Sequence, residues 1–336
     1  MNERDYTPLR KIKNGETCTR PVMLMSMVEK TTSNGDPYVS FTICDSESSS
    51  MANKFKCGEG VLTLELVKSK GYEPGQVLMM KLSRNEKGYL NVDGFGPNTD
   101  SDVTVQDFAH RCDGDPVERF NNIIKILEDV AFETRYLSGE VKETLCDLAL
   151  ALLRENEDKI CWAAAAEKMH SEKAGGLMEH TEAMVRTAIA ICDVYPDLDK
   201  DLLVAGTAIH DIAKIEEMNT DEIGHVTYTF PGIAIGHIVL GYSYIDRYYI
   251  NHKDDYSEER VMLLKSMILS HHGKKEYGSP IEPITTEAYF LNLIDNMDAL
   301  YHEMKKAKDN IEPGEISPDN RVLGINHRIY RPTYEV

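Results

Sequence analysis

The 336-residue chain has little that would anchor it in a membrane or staple it with disulfides. No run of about 18 apolar residues occurs, so no transmembrane helix is expected. The start, Met1-Asn2-Glu3-Arg4-Asp5, is polar and lacks the apolar core of a secretory signal. Seven cysteines, at 18, 44, 57, 112, 146, 161 and 192, form no CxxC pair. Their odd number and scatter fit the reduced thiols of a cytoplasmic protein and speak against a cysteine metal site. Basic charge is scarce too. With 37 Lys and Arg against 56 Asp and Glu, the net charge of −19 argues against a broad electrostatic grip on nucleic acid. There is no internal repeat and no low-complexity tract.

The acidity is unevenly spread. Residues 1–97 hold 13 Lys and Arg and 12 Asp and Glu, whereas the remainder holds 24 and 44. The N-terminal part is nearly neutral. Arg321, Arg328 and Arg331 lie in a tail segment, Arg321 to Thr333, with no acidic residue. A polyanionic substrate would have to use metals and local basic spots against the global field.

At 42% hydrophobic and 28% charged, the chain reads as a soluble protein long enough for two domains. Short β-prone runs fill residues 18–96: Val22 to Met25, Tyr38 to Ile43, Val77 to Leu82 and Tyr89 to Val92. Ser33-Asn34-Gly35-Asp36-Pro37 and Asn85-Glu86-Lys87-Gly88 supply hairpin turn chemistry. About five strands with a helix-like stretch at Val61 to Lys70 suit a small closed barrel, an OB-fold or an SH3-like barrel. The predicted organisation is an all-β barrel over 1–97, a Gly-, Pro- and Asp-rich linker over 98–117, an all-α domain over 118–310 and a basic tail over 311–336. Gly224 to Phe230 reads as a loop or short hairpin inside the helical domain.

Chemistry concentrates on the helices. His180 shares a stripe with Leu177, Met184, Val185 and Ala188, so it points inward. Such a histidine alone is most often a core residue bonded to a carbonyl. Thirty residues on, Leu202 to Ile209 lead into His210-Asp211, with Lys214 three residues further, on the same face if the helix continues. His237 sits in the apolar run Ile235-Gly236-His237-Ile238. His271 falls on the stripe of Val261, Leu264 and Ile268, although His271-His272-Gly273 also suits an ordinary helix C-terminus. Asp295 ends the apolar run Phe290 to Ile294, where a lone carboxylate is costly without a cation or Arg. Asp298 and His302 share its face as supporting or surface residues; His110, His225, His252 and His327 read as surface. Imidazoles and carboxylates gathered in one apolar place make sense around a cation. The donor set suits two divalent ions, with Mn foremost, Fe, Ni or Zn as alternatives, and Mg at the oxygen-rich position. A carboxylate such as Asp211 is a natural bridge, and Lys214 suits a phosphate oxygen or a leaving alkoxide.

Several stretches resemble the YhaM-type 3′→5′ exoribonucleases, which join an OB-fold to an HD domain. They are Ala174 to His180, Tyr195 to Leu203, His210-Asp211-Ile212-Ala213-Lys214, Gly236-His237-Ile238, Ser270 to Lys274, Tyr277 to Pro280 and Ile294 to Ala299. The likeness is specific from about residue 160 to 305 and looser over the barrel. It implies His180, His210, Asp211 and Asp295 as one metal set. By analogy with multi-metal HD proteins, His237, His271 and His272 form a second, with Asp211 bridging and Lys214 catalytic. Lys274, Ser279, Arg321, Arg328 and Arg331 become substrate contacts. Met169-His170 departs from the His pair of close relatives, and Ser46 to Ser50 lacks basic and aromatic residues. The implied function is metal-dependent hydrolysis of single-stranded RNA, with single-stranded DNA as a further substrate, by a homo-oligomer. A small-nucleotide or cyclic-dinucleotide phosphohydrolase and a non-catalytic replication factor compete with it. The intact ligand set counts against the latter, and the appended barrel against the former.

Overall fold

The computed structural model describes residues 6–334 except 33–34, 36, 46–48, 55, 58–59, 62–63, 110, 139–142, 166–172, 222–223, 225, 310 and 318–327. The chain divides after His110 into two compact units, residues 1–110 and 111–336.

The first unit is an OB-like barrel. Strands β1 (Thr17–Thr31), β2 (Pro37–Cys44) and β3 (Ser49–Lys54) form an antiparallel meander. A short ribbon, β4 (Lys56–Cys57) and β5 (Gly60–Val61), and helix α1 (Leu64–Ser69) follow. Strands β6 (Val77–Arg84) and β7 (Leu90–Pro97) complete the order β1-β2-β3-β7-β6, and β6 pairs back to β1. β3 meets β7 in parallel, with Ala52 opposite Leu90. That parallel seam, made after an interposed helix, distinguishes the OB arrangement from the SH3-like alternative. Side-chain alternation builds the core. Leu78, Met80 and Leu82 of β6 and Val39, Phe41 and Ile43 of β2 point inward at every second position.

The turn at Asn85 forms because its Oδ1 accepts from the amides of Lys87 and Tyr89, each at 3.0 Å. Most of the other expected turn, Ser33 to Pro37, and of the Ser46 to Ser50 segment lies outside the described residues. The expected helix over Val61 to Lys70 shrinks to α1. Val61 is held in the ribbon opposite Lys56, and the Gly71 amide closes the helix on the Lys68 carbonyl at 2.8 Å. After β7 the chain stays packed in this unit through buried Val103 and Phe108. Of the barrel aromatics, Phe41 is core and Phe95 packs on it at 5.4 Å. Tyr38 is half-buried, and Tyr89 is 62% exposed.

The second unit is helical: α2 (Pro116–Ser138), α3 (Leu145–Glu155), α4 (Glu157–Ile160), α5 (Gly176–Val194), α6 (Lys200–Ile209) and α7 (Lys214–Glu217) come first. A small hairpin, β8 (Met218–Thr220) and β9 (Val226–Tyr228), follows, close to where the sequence predicts one. Then come α8 (Phe230–Ala234), α9 (His237–Asn251), α10 (Glu258–Ser270) and α11 (Thr286–Asp309). Helix α6 is buried along its whole apolar length and packs on α3, α5, α10 and α11. Its N-terminal turn also carries a structural carboxylate. Buried Asp201 accepts from the amides of Leu145 (2.8 Å) and Cys146 (2.9 Å), and so satisfies orphan donors at the start of α3. Thr144 and Asp147 add a reciprocal capping box there.

Asp201→Ala removes two acceptors from buried amides, so it is expected to lower the stability of the helical unit by roughly 2–3 kcal/mol. Urea unfolding followed by far-UV circular dichroism measures this. An unchanged midpoint contradicts the cap.

Candidate metal centre

The centre is built where five helix ends and faces converge. His180 lies on α5 within the buried stripe of Leu177, Met184 and Val185. Helix α6 stops at Ile209, so His210 and Asp211 lie in the turn before α7 rather than in one continuous helix through Lys214. The turn still folds Lys214 back, and its Nζ lies 2.6 Å from Asp211 Oδ2. His237 is the first residue of α9, and His271 and His272 directly follow α10. Asp295 and Asp298 lie on α11. The approach of α6 to α10 is close: a Cβ on Gly206 would meet Met267 Cε at 2.6 Å. Helix α10 delivers His271 beside His210, with ring centroids 5.2 Å apart.

Every one of the five imidazoles has its Nδ1 occupied. His210 Nδ1 donates to Thr207 O (2.9 Å), His271 Nδ1 to Ile268 O (2.7 Å) and His272 Nδ1 to Tyr277 O (3.0 Å). His180 Nδ1 donates to Asp298 Oδ2 (2.7 Å) and His237 Nδ1 to Glu217 Oε1 (2.9 Å). A carbonyl or carboxylate can only accept, so Nδ1 carries the proton in each ring. A ring that is neutral then presents its Nε2 lone pair. Among the described residues, His210 Nε2, His237 Nε2, His271 Nε2 and Asp211 Oδ1 are buried without a hydrogen-bond partner. Buried polar atoms left so are costly, and a cation satisfies all of them at once. The residues therefore fit divalent ions.

The donors fall into two groups, His180 with His210 and Asp211, and His237 with His271 and His272. The donor atoms of each group lie within 4.8 Å of one another. Asp211 faces both. Its Oδ2 is 3.2 Å from His210 Nε2, and its Oδ1 is 3.4 Å from His237 Nε2 and 3.7 Å from His271 Nε2. Asp295 Oδ1 lies beside the first group, 3.5 Å from His180 Nε2.

The electrostatics favour positive charge. The Lys214 ammonium faces Asp211, Asp295 and Glu217, and Asp298 faces His180. Burial raises the Asp211 carboxyl, but Lys214 and His210 outweigh it and hold it well below the ordinary value. Asp295 is depressed likewise, chiefly by its bond to His180 against burial. Burial drives His271 down to about 3 and lowers His272, so both are neutral donors at physiological pH. Burial opposes charge on His180 too, but Asp295 and Asp298 lift it to about 9. That position attracts a cation of whatever kind.

Two contributors stand behind the donors. Asp298 was legible only as a supporting or surface residue of α11, and it orients His180. Glu217 was missed. In Lys214-Ile215-Glu216-Glu217 it reads as exposed charge, and its one sequence signal is a position three residues after Lys214. It is buried, and its Oε1 accepts from both the amide (3.0 Å) and Nδ1 (2.9 Å) of His237. Lys274 is exposed beside Glu276, and Ser279 is buried with its Oγ unpartnered. Arg328 is exposed, whereas Arg331 spends one guanidinium nitrogen on the Ile311 carbonyl at 2.8 Å. Arg321, His110, His170, His225 and His327 lie outside the described residues. His302 Nε2 is 3.7 Å from Asp298, and His252 bonds the Tyr248 carbonyl.

Replacing His210 and Asp211 together by Ala should abolish bound Mn²⁺, measured by atomic emission, while the helical circular dichroism persists. Asp298→Asn should weaken binding by about 10- to 100-fold, because it orients a donor without supplying one. Full metal content in the double variant contradicts this assignment of the site.

The HD domain family matches residues 177–300, the span from His180 to beyond Asp298. The 3′-5′ exoribonuclease YhaM of Listeria welshimeri is 32% identical over 330 residues, 96% of this chain and 97% of that protein. YhaM of Bacillus velezensis is 29% identical over 95% of this chain and 96% of its own length. YhaM of Bacillus subtilis is 35% identical over 60% of this chain and 62% of its own length. No solved structure matches. The barrel, the helical unit with its HD residues and this near-full-length similarity together make the chain a member of the YhaM family of HD-domain proteins.

Proposed function

We propose that the protein is a metal-dependent 3′→5′ exoribonuclease that hydrolyses the phosphodiester bonds of single-stranded RNA. The observation that carries this is the pair of donor groups sharing Asp211, in a chain similar almost end to end to named exoribonucleases. Two ions are the count the donors support, since His237, His271 and His272 exceed what one ion uses beside His180, His210, Asp211 and Asp295. When bound, divalent ions supply Lewis acidity at the phosphoryl group and make water a usable nucleophile at neutral pH. Mn²⁺ is the first choice for this mixture of imidazole and carboxylate.

The residues do the rest. Asp211 offers one oxygen to each group and fixes their separation. Asp298 and Glu217 hold the rings of His180 and His237 in place. Burial disfavours charge on Lys214, but Asp211 outweighs it and raises its pKa. Lys214 therefore stays protonated, a role better matched to holding a phosphate oxygen as charge develops than to passing a proton. Its second bond, to the Ala165 carbonyl at 2.5 Å, aims the ammonium. The near-neutral barrel and the arginines of the tail favour the strand over the acidic remainder. Ser279, with its buried unpartnered hydroxyl, and Lys274 are substrate contacts beside His272. Single-stranded DNA is a second substrate of the same site. The exposed apolar stripe Leu293, Met297, Leu300 and Met304 on α11 supports self-association. No described helix is long and apolar enough to cross a membrane, and the free thiols suit the cytoplasm.

Incubating the Mn²⁺-loaded chain with 5′-labelled single-stranded RNA should give a ladder of shortening labelled products. A single labelled mononucleotide from the start would reverse the direction, and intact RNA would reject the activity. A chain lacking residues 1–97 should lose far more activity on long strands than on a dinucleotide; no loss on either would move the protein to the small-nucleotide class. Lys214→Met should lower kcat about 10²- to 10³-fold with metal retained, by analogy with loss of one charge-stabilising donor. An unchanged kcat removes Lys214 from the chemistry.

A further inference from the structure

The rim beside His237 and His272 carries two aromatic rings that the core does not use. Phe230 is 83% exposed and Tyr277 is 63% exposed. Neither sits on a loose end. Phe230 opens α8 directly after Thr229, whose amide donates to Glu217 O at 2.9 Å and whose hydroxyl donates to Glu216 O at 2.6 Å. That hydroxyl also accepts from Gly232 N at 3.0 Å, capping α8. The helix is pressed so tightly on Glu217 that a Cβ on Gly232 would come within 2.1 Å of the Glu217 carbonyl oxygen. Glu217 in turn holds His237 through both its amide and its ring. Tyr277 is fixed from the other side, since its carbonyl accepts from His272 Nδ1 at 3.0 Å. The rings of His237 and His272 are 5.3 Å apart, so both aromatics are anchored to one edge of the metal centre.

We propose that Phe230 and Tyr277 are the base-stacking residues of this centre and hold the nucleobases at the 3′ end of the RNA while its phosphate lies on the donors. This rests on the exoribonuclease reading. The occupant follows from position and charge. A surface continuous with a phosphodiesterase centre meets the bases that flank the scissile phosphate. The Lys274 ammonium, 5.6 Å from the Tyr277 ring centroid, suits the adjoining backbone. With a net charge of −19, affinity at this edge has to come largely from contacts that do not depend on charge. Base stacking on aromatic rings does this and is indifferent to sequence. Ile233 (76% exposed) and Ile235 (50%) extend the apolar ledge. Held by backbone bonds, the main chain that carries the two rings has little to reorganise on binding.

The test uses the full-length Mn²⁺-loaded protein, an RNA oligonucleotide and the same oligonucleotide with abasic sugars at its last two 3′ positions. Phe230→Ala and Tyr277→Ala are each expected to raise KM for the intact RNA about 5- to 100-fold with kcat and metal content little changed. Phe230→Trp and Tyr277→Phe, which keep a ring, should retain the wild-type KM. On the abasic end the wild type should show the same loss, and the Ala substitutions should add nothing to it. An equal KM for wild type and Ala variants overturns the proposal, as does an equal penalty on abasic and intact ends. If an Ala variant loses metal or unfolds, the wild type decides alone, and indifference to abasic ends overturns the proposal. A drop in sedimenting mass of the Ala variants with unchanged KM would instead assign the ledge to a second copy of the chain. A wild type that degrades no RNA defeats the exoribonuclease reading and this inference together, whereas degradation unaffected by the substitutions defeats only the inference.

Discussion

The structure depends on where five imidazole protons are held. Each Nδ1 is committed to a carbonyl or carboxylate on the outer side of its ring, so each Nε2 points to a common centre. Three of the five anchors are backbone carbonyls, and two of those lie three residues earlier in the same helix. The helix terminus that positions His210 or His271 thus also fixes its tautomer. The two remaining anchors, Asp298 and Glu217, are carboxylates, which make their rings better donors as well as orienting them. A cluster of orphaned lone pairs and depressed carboxylates is unfavourable by itself, and it is stable only if the surrounding core enforces it.

That enforcement comes from α6 and its neighbours. The helix is buried on every side, so its C-terminal turn has no freedom to swing, and Asp201 ties its N-terminal turn to α3. At Gly206 the side chains of Met267 and Leu264 from α10 pack directly against α6. The break after Ile209 then matters for chemistry. Were the helix continuous, Asp211 and Lys214 would lie side by side along one face. The turn brings the Lys214 ammonium onto Asp211 Oδ2 and leaves Oδ1 toward His237 and His271. One carboxylate is thereby divided between a cation of the protein and two groups of donors.

Much of this was legible in the sequence. Apolar stripes placed His180, His271 and Asp295 inward, and alternation with Asn85 turn chemistry placed the barrel strands. The seam between β3 and β7 was not legible, because a parallel pairing leaves no short-range mark. The helix break after Ile209 was not visible, since Ile212 and Ala213 continue the apolar period. Glu217 was hidden because a carboxylate beside another in a short charged run has the pattern of a solvated face. Phe230 and Tyr277 raised the opposite difficulty. Aromatic residues near Gly and Pro read as turn packing, and only their exposure reveals them. The tail arginines remain a matter of composition for Arg321, while Arg331 holds its own segment together through the Ile311 carbonyl.

The central claim is that Asp211 joins two cation positions. Anomalous diffraction from crystals saturated with Mn²⁺ tests it directly. The account predicts two peaks about 3.5–4 Å apart, one against His180, His210 and Asp295, the other against His237, His271 and His272, with Asp211 between them. A single fully occupied peak, with His237, His271 and His272 turned away from it, would contradict it.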